Sequence, residues 1–173
     1  TRLQKPGFPL RGVLEVGWDY DELKATGRFA GSGFDVLDLL PVTREFFPPI
    51  PVGGTPLWRP ENLRRLTGSG GLFVKDDGLN PTGSFKDRAS FLVAAFARSK
   101  GIRKVVVAST GNAASSMAGV GAAAGLEVKI FMPAAAPRAK IVQSLQYGAD
   151  VTPVEGNYDL AYDTSVAFCA EHP

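Results

Sequence analysis

An α/β fold built on a largely parallel sheet follows from three features of this 173-residue chain. Strand-like and helix-like patterns alternate from Leu72 to the C-terminus across short connections, the order that places helices against a parallel sheet through right-handed crossovers. The run Val105-Val106-Val107-Ala108 is apolar without alternation, as expected of a strand buried on both faces. Hydrophobic residues make up 45% and charged residues 21% of the chain, which suits a packed core and excludes disorder over the whole length. The expected architecture is three layers, with helices flanking the sheet. In such sheets ligands gather at the carboxyl ends of the strands, so the loops directly after strands are where chemistry is to be sought.

The elements follow in order. Residues 1–52 read as a peripheral N-terminal segment and 53–173 as the α/β portion. In the first, 13–16 has strand character, 20–26 a short helix, and Gly31-Ser32-Gly33 a break. Residues 41–60 carry Pro48, Pro49, Pro51 and Pro56, which exclude a regular helix because proline removes a donor and clashes with the preceding turn. After the turn Thr67-Gly68-Ser69-Gly70-Gly71, residues 72–75 form a short strand and 76–83 a loop. Residues 85–100 place Phe85, Ala89, Leu92, Val93 and Phe96 at helical spacing. Strand 105–108, small-residue helix 113–124, strand 127–131, helix 137–147, strand 151–154 and helix 158–170 complete the pattern. Pro137 suits a first helical turn and Gly148 a helix end. Ala114-Ser115-Ser116 lets its helix pack closely, and Asn157, Tyr158 and Asp159 are placed to cap the last helix.

Composition excludes several functions. The net charge is +2 with Lys and Arg scattered, so neither a nucleic-acid nor an anionic-membrane partner is expected. One cysteine, Cys169, allows no internal disulfide, and a single histidine, His172, allows no His-rich metal site; both residues read as structural or incidental. The most apolar stretch, 117–126, is far shorter than the roughly 20 residues of a membrane span. With no signal pattern, a cytoplasmic location is expected. The chain starts at Thr1 and stops at Pro173 directly behind a helical pattern, so a fragment is expected.

The loop 78–88 reads Gly78-Leu79-Asn80-Pro81-Thr82-Gly83-Ser84-Phe85-Lys86-Asp87-Arg88. Gly78 and Gly83 have the spacing of a phosphate-binding P-loop, but Ser84 stands where the lysine must be and Lys86 comes two residues late. A nucleoside-triphosphatase reading fails on register. Lys86 instead falls in the first turn of a helix, whose dipole disfavours a further positive charge. A neutral lysine amine is a nucleophile toward aldehydes, and a Schiff base is its usual product. On spacing alone, a solvated lysine at a helix start remains the alternative.

Ser109-Thr110-Gly111-Asn112 follows the strand 105–108 and opens a helix. Backbone N–H groups at a helix start favour an anion, Gly111 allows close approach of a ligand, and Ser109 and Thr110 add hydroxyl donors. The alternative is a plain helix cap.

The nine residues from Asn80 to Arg88 resemble the cofactor-lysine motif of threonine synthases, members of the pyridoxal-phosphate enzymes shaped like the tryptophan synthase β-subunit. Gly54-Thr55-Pro56-Leu57 is similar to an upstream motif of that family and Ser109-Thr110-Gly111-Asn112-Ala113-Ala114 to its second loop. The resemblance runs from about Gly53 to the C-terminus, more weakly over 13–23. It implies that 53–173 is the N-terminal portion of the catalytic fold. It also implies that Lys86 binds pyridoxal 5'-phosphate as a Schiff base, with Phe85 and Asn112 as further cofactor contacts. Ser109, Thr110 and Gly111 would then hold the α-carboxylate of an amino-acid substrate. The implied reaction is conversion of O-phospho-L-homoserine and water to L-threonine and phosphate, in a protein expected to be a homodimer.

Alternatives are a serine or threonine dehydratase and a non-catalytic amino-acid-binding relative. Some threonine synthases carry an arginine for the substrate phosphate where Asp163 stands here. The zinc-binding cysteines of some members are absent. The glycine-rich loop for the cofactor phosphate and the ring-nitrogen partner are expected beyond Pro173, so weak cofactor binding and no activity are expected of the 173 residues alone. Lys75, Asp76, Arg138 and Lys140 read as surface charges.

Overall fold

The computed structural model describes residues 17–25 and 35–172, which belong to two units divided between Leu39 and Leu40. In the first unit, α1 (Tyr20–Ala25) is started by Asp19, whose carboxylate accepts from the amides of Asp21 at 3.1 Å and Glu22 at 2.9 Å. A 3-10 turn follows at Val36–Leu39, and the Trp18 indole donates to the Leu39 carbonyl at 3.1 Å. The expected strand at 13–16 and the break at Gly31-Ser32-Gly33 lie outside the described residues.

The second unit begins with the Pro-rich segment, whose only helical turn is a 3-10 turn at Arg44–Phe46. It is nonetheless anchored: Phe47 is buried against Phe91, with ring centroids 4.8 Å apart, and the Arg98 guanidinium donates to the Phe46 carbonyl at 2.8 Å. Next come β1 (Leu57–Trp58), α2 (Glu61–Thr67) and β2 (Val74–Lys75), with β1 and β2 antiparallel. β1 and α2 are additions to the expected pattern. Proline at 60 supplies the N-cap position of α2, and Gly68 closes it in the left-handed conformation, the usual glycine stop.

The expected alternation then appears in full. α3 (Lys86–Ser99), β3 (Lys104–Ala108), α4 (Asn112–Ala123), β4 (Glu127–Pro133), α5 (Arg138–Gln146), β5 (Asp150–Val154) and α6 (Tyr158–Glu171) follow in sequence. The three later strands form a parallel sheet in the order β3-β4-β5, with Val105 opposite Val128 and Ile130 opposite Val151. The central strand shows how the layers arise. Val128, Ile130 and Met132 are buried on one face, where Val128 meets Gly121 of α4. Phe131 points the other way, onto Phe168 of α6 at 5.4 Å. Opposite faces of one strand thus hold α4 and α6, and α3 packs on the outside of α4. Burial of Ile130 and Met132 contributes roughly 1.5–3 kcal/mol each.

The helix at 86–99 forms where expected but buries a different face. Asp87, Ser90, Phe91, Ala94, Ala95 and Ala97 are buried, whereas Phe85, Val93 and Phe96 are exposed. The face toward α4 is the small one: the Ser116 hydroxyl donates to the Ser90 hydroxyl at 2.7 Å, both buried. Ala and Ser permit that approach where Leu and Phe would not. Asn157 caps α6 as expected, accepting from the Leu160 amide at 3.0 Å. Among the described residues no helix is long and apolar enough to cross a membrane.

Candidate active site

Lys86 is the first residue of α3 and is half-buried. The loop before it is tied down at almost every residue. Asn80 is buried; its side-chain oxygen accepts from the Gly53 amide at 2.9 Å and its amide group donates to the Asp77 carbonyl at 2.9 Å. The Gly83 amide donates to the Asn80 carbonyl at 2.8 Å, closing a turn in which Gly83 takes φ +78°, a conformation that glycine adopts without strain. Thr82 is gripped by Asp87: its amide donates to one carboxylate oxygen at 2.7 Å and its hydroxyl to the other. Its carbonyl accepts from the Gln143 side chain at 3.2 Å, and Lys140 donates to Gln143 at 3.0 Å. The Ser84 hydroxyl accepts from the Lys86 amide at 3.1 Å. The Lys86 ammonium lies over the exposed Phe85 ring, 4.5 Å from its centroid.

A second network braces this loop against the preceding segment. Arg88 grips Asp77 with two parallel bonds of 2.9 and 2.8 Å, and the Thr55 hydroxyl donates to the same carboxylate at 2.6 Å. These bonds, Arg88 first and Thr55 second, hold the Asp77 carboxyl well below the usual carboxylate range. Lys75 donates to the Thr55 carbonyl, and Asp76 accepts from the Trp58 indole at 3.0 Å. Lys75 stays exposed while making its bond, and Asp76 and Lys140 are half-buried. Arg138 is exposed.

The loop after β3 is built differently. The Ser109 amide extends the ladder to the Phe131 carbonyl at 3.2 Å, and the Ser109 hydroxyl accepts from the Gly111 amide at 3.3 Å. Gly111 is the N-cap of α4, and no side chain caps this helix. The side chains of Ser109, Thr110 and Asn112 thus cap none of the first-turn amides, of which that of Ala114 is held by the Gly111 carbonyl at 3.0 Å. A side-chain carbon built on Gly111 would meet nothing within 4 Å. Ser90 and Ser116, which join the two helices, each lie one turn inside the helix that Lys86 or Asn112 opens.

A primary amine on an anchored backbone and, in the second loop, helix-start amides without side-chain caps suit an aldehyde ligand with anionic groups: the amine adds to the aldehyde and the free amides take an anion.

Residues 50–172 match the family of pyridoxal-phosphate-dependent enzymes. The chain belongs to that family. Pyridoxal phosphate is its cofactor, an aldehyde with an anionic phosphate. A threonine synthase of Methanosarcina acetivorans is 36% identical over 92% of this chain and 40% of its own length. One of Methanocaldococcus jannaschii is 38% identical over 88% of this chain and 40% of its own. The chain thus spans about 40% of the length of these two relatives. A pyridoxal 5'-phosphate-dependent aspartate racemase of known structure superposes with a TM-score of 0.60 at 29% identity, over 68% of this chain and 37% of the racemase.

Sequence reasoning did not anticipate Thr82, Asp87 or Gln143 as parts of the site. The signal was available for one of them: Ser84-x-x-Asp87 has the spacing of a capping box. The carboxylate reaches past Ser84 to Thr82 instead. Gln143 carries no local signal, because its partner is 61 residues away. Cys169 and His172 are exposed, and the His172 ring stacks on Phe168 with centroids 4.2 Å apart.

Proposed function

We propose that the protein is a threonine synthase, converting O-phospho-L-homoserine and water to L-threonine and phosphate. The observation that carries this reading is Lys86 fixed at the start of α3 by its own hydrogen-bonded loop, within a sequence 36–38% identical to two threonine synthases. Lys86 holds the cofactor, and its freed amine then takes the substrate's α-proton and returns protons later in the cycle. When bound, pyridoxal phosphate supplies an electron sink for the carbanion at the substrate's α-carbon. Ser109, Thr110 and Gly111 hold the substrate α-carboxylate, the first two through their hydroxyls and the Thr110 amide, with Gly111 leaving the space beside them open. Asn112 donates to the cofactor's ring hydroxyl, and Phe85 lies beside the amine that carries the cofactor. A cytoplasmic, homodimeric enzyme belongs to the same proposal; a chain with one cysteine fits a reducing compartment.

The test is to reduce the full-length protein with borohydride in the presence of pyridoxal phosphate and map the modified peptide by mass spectrometry. The expected label is on Lys86, and Lys86→Ala removes both the label and nearly all turnover. A folded protein with no label on Lys86 would reduce the kinship to one of fold, with ligand binding in place of catalysis. Release of phosphate from O-phospho-L-homoserine separates this reading from a dehydratase, which would instead form 2-oxobutanoate from L-threonine.

A further inference from the structure

We infer that Asp87 is a positioning residue for Lys86, acting through Thr82; this rests on the reading of Lys86 given above. The Asp87 side chain is fully buried, and a buried carboxylate is costly unless its oxygens are hydrogen-bonded. Among the described ion pairs none involves Asp87. Its charge is balanced instead by the start of α3, where an acidic residue is favoured, and by Thr82. Both oxygens are taken by that one residue, one by its amide and one by its hydroxyl.

The consequence is geometric. Thr82 and Asp87 enclose Gly83, Ser84, Phe85 and Lys86, so the bonds between them close a short ring that contains the lysine. Gly83, at φ +78°, is the softest link in that ring. The ring is also pinned from outside. The Thr82 methyl faces Gly119 of α4, where an added carbon would come within 2.6 Å of it, and the Thr82 carbonyl is held by Gln143 of α5. Through this clamp the direction in which Lys86 leaves the backbone is set by α3, α4 and α5 together. A lysine has a long, flexible side chain, and the rate at which its amine meets a carbonyl depends on that preorganisation.

Thr82→Val keeps the shape and removes only the hydroxyl, Thr82→Ser keeps the hydroxyl and removes only the methyl, and Asp87→Ala removes the acceptor. Each full-length variant is exposed briefly to pyridoxal phosphate and cyanoborohydride. Labelling of Lys86 is read by mass spectrometry against the exposed Lys100 and Lys104 in the same molecule. Hydrogen exchange of the 82–87 peptide is measured in parallel.

Loss of a hydrogen bond to a buried charge should lower the Lys86-to-reference ratio roughly tenfold in Thr82→Val. Exchange in 82–87 should quicken, and Thr82→Ser should retain the wild-type ratio. Adding Asp87→Ala to Thr82→Val should cost less than the two single losses combined, because both remove the same bond. An unchanged ratio in Thr82→Val overturns the inference. So does an equal fall in Thr82→Val and Thr82→Ser, which would make the methyl contact responsible, or a fall shared by Lys86 and the reference lysines. If Asp87→Ala does not fold, the two Thr82 variants decide alone. A wild-type protein that labels Lys86 no faster than Lys100 would sink the Lys86 reading itself, an outcome distinct from a wild-type preference that the variants leave intact.

Discussion

The two loops that meet the ligand in this reading are built on opposite principles. In the loop before α3, Asn80, Thr82 and Ser84 are buried and spend their side chains on the protein itself. In the loop before α4, no side chain caps the helix, Asn112 is exposed, and the space at Gly111 is empty. The first arrangement fixes one reactive group; the second spends the Ser109 and Gly111 amides on the protein but leaves the amides of Thr110, Asn112 and Ala113 for something that arrives. Satisfied polar groups confer rigidity, whereas unsatisfied helix-start amides are a standing attraction for an anion. A site for an amino acid on a covalently held cofactor needs both.

The contrast is broken most severely by filling the contact beneath the rigid loop. A carbon added at Gly119 would lie 2.6 Å from the Thr82 methyl and 3.4 Å from the Tyr147 ring. Thr82 cannot yield easily, because its amide, hydroxyl and carbonyl are all engaged. Gly119→Ala gains about 1 kcal/mol of helix propensity, but overpacking a tight contact costs about 1–3 kcal/mol, and the overpacking should win. The expected outcome is a lower urea midpoint together with slower cofactor labelling of Lys86. A raised midpoint would show that the loop is looser than its bonds imply.

A smaller, pH-dependent effect tests the brace beside that loop. Asp77 is held below the usual carboxylate range by Arg88 and then Thr55. A depressed folded-state pKa contributes stability that is fully present above the unfolded value and is lost as pH falls toward the folded one. The advantage of wild type over Asp77→Asn should therefore be constant near neutrality and shrink below about pH 4. Urea midpoints taken between pH 7 and pH 3 check this. A difference between the two proteins that does not change with pH would mean that the bonds, and not the charge, supply the brace.

Much of this could be read from the chain before the structure. Uninterrupted valines at 105–107 mark β3, and the glycines at 83 and 148 mark where the backbone turns. Lys86 and the open loop at 109–111 were legible because each is a local string lying directly ahead of a helix. What stayed hidden depends on partners distant in sequence. Apolar spacing alone would turn Phe85, Val93 and Phe96 inward, yet α3 buries Ser90, Ala94 and Ala95, because α4 comes too close for larger side chains. α2 went unseen because its apolar content is thin and none of its residues is buried. Asp87 reads as one charge in a Lys-Asp-Arg triplet, and only the fold shows that its carboxylate is sealed against Thr82.

The smallest change to the fold should fall on the open loop, and there stability and binding should part company. Gly111 has φ −130° and ψ −150°, an extended conformation that alanine adopts without strain, and nothing lies within 4 Å of the added carbon. Gly111→Ala should cost only about 0.5–1 kcal/mol, the difference between a tolerated and a poor N-cap. The same methyl would stand in the space assigned to the substrate carboxylate. A clash worth 1–3 kcal/mol there weakens binding roughly tenfold or more. Calorimetric titration of the full-length protein with L-threonine, alongside its urea midpoint, separates the two. Near-normal stability with lost affinity marks Gly111 as the floor of a ligand site. Near-normal stability with unchanged affinity would move the carboxylate elsewhere and leave the uncapped end of α4 facing only water.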